Sequence, residues 1–182
     1  MMSLVAVVAV AIWIMLPAYV PNNIAVLAGG GRPIDGGRML GDRRLLGDGK
    51  TWRGTAVGIG VGIVVALALN AIGTPAGEMI DVSLPTFPVG AIVGLPAGAM
   101  LGDILASFLK RRTGRERGAA FPLVDQLDFV VVSLAVTAIL TWEWVVATIT
   151  LPILVTIFVI TPVLHLATNA VAYGLGLKNE PW

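Results

Sequence analysis

Cysteine is absent from the 182 residues, which excludes disulfides and thiolate-held metals. Histidine occurs once, as His165, so no imidazole cluster is available to hold zinc. Charge is also scarce. Asp, Glu, Lys and Arg make up 13% of the chain, where a soluble domain carries about 25%. The scarcity is concentrated in runs. Met1–Gly31, Gly54–Gly77, Val82–Gly102 and Trp144–Leu177 contain no charged side chain.

What fills those runs is apolar: 57% of the residues are hydrophobic and the mean hydropathy is +0.89. A helix of about 20 apolar residues crosses a hydrocarbon core of about 30 Å, and each of the four runs is long enough. A fifth, Phe129–Trp142, has only 14 residues. It spans only if its helix begins near Pro122 and takes Asp125 and Asp128 into the first turns. Five helices are therefore expected, at roughly 3–28, 54–74, 86–109, 123–143 and 145–174, in an all-α integral membrane protein. Residues 1–182 form a single membrane domain in this reading. The first run is expected to persist as a helix, since no basic residue precedes it and no clear small-x-small cleavage site follows.

Basic residues give the sidedness. All twelve Lys and Arg fall in loop 30–53, in loop 110–122 or at Lys178, while the opposite loops carry only Glu78, Asp81 and Glu143. Cytoplasmic loops are the ones enriched in Lys and Arg. The expected arrangement is an N-terminus outside, a cytoplasmic C-terminus and two cytoplasmic loops, 30–53 and 110–122. Gly54, Gly58 and Gly62 recur every fourth residue, as do Gly90, Gly94, Gly98 and Gly102. That spacing predicts close helix packing. Pro96, Pro152 and Pro162 lie inside expected spans and predict local kinks.

Residues 41–54 read GDRRLLGDGKTWRG. Gly49-Lys50-Thr51 looks like the end of a phosphate-binding loop, but the glycine needed five positions before Gly49 is Arg44, and no strand precedes it. The nucleoside-triphosphatase fold is excluded. Glycines still let backbone amides approach an anion, and Arg and Lys supply opposing charge. A basic loop touching anionic lipid head groups would explain the arginines, but not the interleaved Asp35, Asp42 and Asp48. Phosphate binding accounts for the segment better.

The second informative segment is 102–132. Asp103, Ser107 and Lys110 share a helix face, with Arg111 at its edge, and Asp125 and Asp128 share another. A charged side chain at mid-span costs about 2.5–3.5 kcal/mol on insertion scales, less near the interface. Lysine and arginine snorkel out of such positions; aspartate is too short. Asp103, Asp125 and Asp128 therefore need a cation, a metal ion or a wet pocket. Helix-end decoration would suit Asp125 alone. Carboxylate oxygens beside Lys and Arg suit a magnesium–triphosphate complex, and His165 is read as a helix–helix hydrogen-bonding residue outside that site. A competing class, a small polytopic lipid-binding or transport protein with basic topogenic loops and no catalysis, predicts polar residues at mid-membrane. Those are few, chiefly His165 and Asn70.

Ser107-Phe-Leu-Lys110-Arg111, followed by Pro122-Leu-Val-Asp125-Gln-Leu-Asp128, resembles a contracted CDP-diacylglycerol synthase signature. The first loop, from Pro33-Ile-Asp35 to Arg53-Gly54, is similar to the hallmark of its archaeal relatives, the CDP-archaeol synthase family. The resemblance covers essentially the whole chain. It implies a CTP:lipid-phosphate cytidylyltransferase, dependent on Mg²⁺, that converts the unsaturated archaetidic acid bearing two geranylgeranyl ethers to CDP-archaeol and pyrophosphate. The implied partners are CTP, an isoprenoid ether-lipid phosphate and membrane lipid, with no nucleic acid; a homo-oligomer stays open. The implied setting is the cell membrane, multi-pass, with the active site on the cytoplasmic face. By the same resemblance Asp125, Asp128, Lys110 and Arg111 are catalytic and Asp125, Asp128 and Asp103 bind metal. CTP falls to Arg43, Arg44, Gly47, Asp48, Gly49, Lys50, Thr51, Arg53 and Ser107. The chain departs from the wider signature between Arg112 and Pro122, which lacks a Lys-Asp pair and a His-Gly-Gly element. Asp103 or Asp48 is the candidate replacement for a ligand from that pair.

Overall fold

Ser3 accepts a hydrogen bond from the Ala6 amide at 3.1 Å and so caps α1, Leu4–Leu27. This helix is apolar on every side, which marks a helix enclosed by others. In the computed structural model, which describes residues 2–114, 124–174 and 176, α1 is indeed central. It buries Val10, Ala11, Ile14, Met15 and Ala18 and packs on α2 (Trp52–Ile80), α3 (Val89–Arg112), α4 (Val124–Leu140) and α6 (Leu151–Gly174). A short α5, Trp142–Thr148, links α4 to α6. Between α1 and α2 lies a small antiparallel hairpin, β1 (Met39–Leu40) with β2 (Arg43–Arg44).

The all-helical expectation holds, and α1, α2, α3 and α6 are each long and apolar enough to cross a membrane. The helix count differs. The span expected at 145–174 is two helices, α5 and α6, separated at Ile149 and Thr150. Pro152 supplies the reason. Its ring cannot sit against the carbonyl of residue 148 in a continuous helix, so α5 ends at Thr148. Pro152 instead occupies the first turn of α6, where its missing amide leaves no bond unmade. The expected kink is a full break. Helix α4 starts at Val124 and has 17 residues, about 26 Å of helix. Its expected start near Pro122 lies outside the described residues, as do Arg115, Arg117 and Lys178.

The glycine series sets how near the helices come. A methyl added at Gly94, Gly98 or Gly102 would lie 2.9, 2.5 and 2.6 Å from the α-carbons of Thr137, Ser133 and Phe129 on α4. Helices α3 and α4 thus touch backbone to backbone along most of their length. Gly54, Gly58 and Gly62 do the same for α2, against the carbonyls of Ala25, Pro21 and Pro17 on α1. Two antiparallel pairs are locked this way, each leaving its charged end beside the other.

At the far end of the bundle, three side chains fasten residues 85–87. Trp13 Nε1 donates to the Pro85 carbonyl at 3.0 Å and Trp144 Nε1 to that of Thr86 at 2.8 Å. Asn70 uses both ends of its amide on Phe87, donating at 2.9 Å and accepting at 2.7 Å. Asn70, one of two mid-span polar residues a transport protein would need, is therefore committed to holding a loop.

Gly98→Ala should lower thermal stability in detergent by about 1–3 kcal/mol, the usual effect of forcing a methyl into a packed contact. Gly60→Ala should be neutral or stabilising by up to about 1 kcal/mol, because nothing lies within 4 Å of the added methyl. Equal melting shifts for the two variants would refute the close α3–α4 contact.

Candidate active site

The first loop is built around one carboxylate. Asp35 accepts from the amides of Gly37, Leu46 and Gly47, each at 3.0 Å, and from Arg44 Nε at 3.2 Å and Nη2 at 2.7 Å. Its side chain is fully buried. The Arg44 guanidinium, aided by the three amides, holds this carboxyl well below the usual carboxylate range despite burial. Asp48 takes the remaining face of Arg44, with Nη1 donating to Oδ1 at 2.9 Å. Gly47 permits the turn with φ of +99°. At the base of the loop, Ile34 N–H donates to the Lys50 carbonyl at 2.8 Å, and Trp52 N–H to that of Arg32 at 3.3 Å.

Arg112, at the end of α3, ties the hairpin down. Its Nη1 donates to the Leu40 carbonyl at 2.6 Å and its Nη2 to that of Arg44 at 3.0 Å, while the guanidinium lies 5.6 Å from the centre of the Phe108 ring. These contacts fold the loop over the ends of α1, α3 and α4, beside an open cavity of about 530 Å³.

The cavity gathers groups that are distant in sequence. From the loop and the start of α2 come Gly49, Lys50, Thr51, Gly54 and Thr55. From α3 and α4 come Asp103, Ser107, Lys110, Asp125 and Asp128. Lys50 Nζ donates to Asp103 Oδ2 at 2.6 Å, and Lys110 pairs with Asp125 Oδ1 at 2.6 Å, all four side chains half-buried. Asp128 Oδ1 accepts from the Phe129 amide at 2.6 Å. The amino end of α2 also opens here, adding the positive end of a helix dipole. Two lysines and a helix start in one cavity can take a polyphosphate, and carboxylates beside them can take its counter-cation.

Not every expected residue lines this cavity. Lys50, Gly49, Thr51, Ser107, Lys110, Asp103, Asp125 and Asp128 do. Thr51 Oγ1 accepts from the Gly54 amide at 3.1 Å, which caps α2. Ser107 Oγ donates to the Asp103 carbonyl at 2.9 Å, within its own helix. Arg43, Arg44, Gly47, Asp48, Arg53 and Arg111 are absent from the wall. Arg44 and Asp48 are engaged inside the loop, Arg111 lies against Gly47 and Arg43 against Gly114. Of the two candidate replacement ligands, Asp103 lines the cavity and Asp48 does not. Among the described residues no three carboxylates or imidazoles form a ready cluster for a metal ion. Magnesium needs only one or two protein carboxylates, with phosphate and water completing the shell, and the oxygens present fit that demand.

The cavity also reaches His165. Together with Thr168 and Asn169 of α6, and with Asn22 and Asn23 of α1, it forms the remaining polar wall. The signal was present: residues 165, 168 and 169 fall on one face of an otherwise apolar helix.

Comparison with known proteins agrees with this geometry. A family model described as CarS-like, CDP-archaeol synthase, matches residues 2–182. The chain belongs to that family. It is 67% identical to the CDP-archaeol synthase of Halobacterium salinarum over 181 residues, covering 100% of each chain. With the CDP-archaeol synthase of Methanosarcina acetivorans it shares 45% identity, over 92% of this chain and 100% of that one. A solved structure of an intramembrane enzyme for archaeal membrane lipids biosynthesis superposes with a TM-score of 0.69 at 40% identity, covering 87% of this chain and 92% of that one.

Asp35→Asn should leave loop 30–53 open to protease at neutral pH. In the unaltered chain the depressed carboxyl contributes its full stabilisation above the ordinary pKa near 4. That contribution declines only as pH falls further, through the lowered folded value. Protection should therefore be flat from pH 8 to about 5. Loss of protection between pH 7 and 6 would contradict Asp35 as the organising group.

Proposed function

We infer that the chain is a cytidylyltransferase that uses CTP to convert an archaeal ether-lipid phosphate to CDP-archaeol with release of pyrophosphate. The observation that carries the reading is the single cavity uniting Lys50, Asp103, Lys110, Asp125 and Asp128 in a membrane protein of this family. An oxygen of the lipid phosphate attacks the α-phosphorus of CTP. The new oxygen–phosphorus bond forms as the bond from the α-phosphorus to the bridging oxygen breaks, and pyrophosphate leaves with the electron pair.

The residues here do little covalent work. Lys50 and Lys110 bind triphosphate oxygens and offset the charge gathering on the leaving pyrophosphate. The α2 amino end and the Gly49–Thr51 backbone orient the chain of phosphates. One or two of Asp103, Asp125 and Asp128 would hold magnesium, which would supply charge neutralisation when bound. Fixing both substrates in line converts a bimolecular collision into an oriented reaction. Two arginines serve at one remove: Arg44 within the loop and Arg112 at the end of α3 hold the loop in place beside the site.

Five crossings with a cytoplasmic site suit the helix directions. The carboxyl ends of α1, α3 and α6 meet the amino ends of α2 and α4 at the cavity. That alternation follows when the chain crosses five times, with α5 and α6 sharing the last. All described Lys and Arg lie toward this end, which is the cytoplasmic one by their enrichment.

Sealed membrane vesicles test activity and sidedness together. Inside-out vesicles supplied with external CTP, magnesium and lipid phosphate should release pyrophosphate, whereas right-side-out vesicles should do so only after permeabilisation. Asp128→Asn should reduce the rate at least a hundredfold in a protein that still folds, because an amide keeps the shape but not the charge. Undiminished turnover by that variant would remove the carboxylates from the mechanism.

A further inference from the structure

Helices α1 and α6 run parallel toward the cavity, and Tyr19 Oη is joined to Thr161 Oγ1 at 2.8 Å between them. One helical turn further on, Asn22 and His165 are already part of the cavity wall. Beyond them the wall continues through Val26 and Leu27, which are 78% and 77% exposed, and through the exposed Thr168. Residues that face both the cavity and the outer surface of the bundle mark a sideways opening. Asn22 Oδ1 is buried there without a hydrogen-bond partner. The two ends of an amide interchange by a half-turn, so this group can offer either an acceptor or a pair of donors to an occupant.

The two sides of the cavity differ in kind. Lys50, Asp103, Lys110, Asp125 and Asp128 lie on the side formed by the first loop, α3 and α4; the α1–α6 side carries amide, hydroxyl and imidazole groups and borders apolar surface. The reaction needs two subsites, and the charged side suits the triphosphate and its cation. We propose that the α1–α6 face, centred on Asn22, His165 and Asn169, is the lipid-phosphate subsite. The head of the ether lipid enters between α1 and α6 beyond the Tyr19–Thr161 bond, while its chains stay outside the opening in the surrounding lipid. Side-chain donors on this face hold the incoming phosphate without drawing on Lys50 or Lys110, which the triphosphate needs. The proposal rests on the cytidylyl-transfer reading and assigns its second substrate to residues outside the charged cluster.

Steady-state kinetics in mixed micelles with a diether glycerol phosphate, alongside equilibrium CTP binding, separate the two ideas. Asn22→Leu, His165→Phe and Asn169→Leu should each raise the KM for lipid phosphate tenfold or more. kcat should fall less than threefold, and CTP affinity should stay within twofold of the unaltered chain. His165→Gln, which retains a donor, should recover most of the lipid affinity. Lipid KM values within twofold in all three variants would overturn the proposal, and so would a parallel loss of CTP affinity. No CTP-dependent turnover by the unaltered chain would instead overturn the cytidylyl-transfer reading itself.

Discussion

The close approach of α3 to α4 is the constraint on which the rest depends. Gly94, Gly98 and Gly102 remove the side chains that would hold the two backbones apart, and Thr137, Ser133 and Phe129 fill the space. The seam ends at Gly102, and the next residue is Asp103. Across from it stand Asp128 and, one turn nearer the loop, Asp125. Packing among small residues is what holds helices together in lipid, where no hydrophobic drive exists between them. Here the same seam brings carboxylates from two helices into one cavity.

Such a cluster is stable only with compensating charge. Lys50 and Lys110 provide it, each from a different direction, one on the first loop and one on α3. Removing one member of a half-buried pair leaves an uncompensated charge, so the site favours exchange of partners over simple separation. A metal–nucleotide complex permits that exchange. In the proposed reading, triphosphate oxygens would take over Lys50 and Lys110 while a cation took over Asp103 and Asp125, so that the groups now paired would keep partners. Both substrates can then be held in a protein with few charges to spare.

The sequence made some of this legible. Asp103, Asp125 and Asp128 stood out because short carboxylates in apolar helices demand a partner, and the glycine spacing announced close packing. The first loop was harder. Its aspartates and arginines resembled one another on paper, but Asp35 and Arg44 are joined to each other, and that bond is a matter of how the loop folds. Lys50 alone among the loop's cations faces the cavity. The break before α6 follows from the clash of Pro152 with residue 148, a rule that gives position but not severity. Asn22, His165 and Asn169 were hardest, since lone polar residues in spans usually join helices, as Tyr19 and Thr161 do here.

In the proposed mechanism the lysine–aspartate pairs are the resting form of a nucleotide–metal site. Calorimetric titration of CTP in the presence of magnesium, and again with the divalent cation chelated, tests it most directly. Exchange of partners predicts strong positive coupling, with CTP binding at least tenfold tighter when magnesium is present, and magnesium alone binding weakly because its ligands are already engaged. CTP affinity that is unchanged by removing the metal would contradict the account.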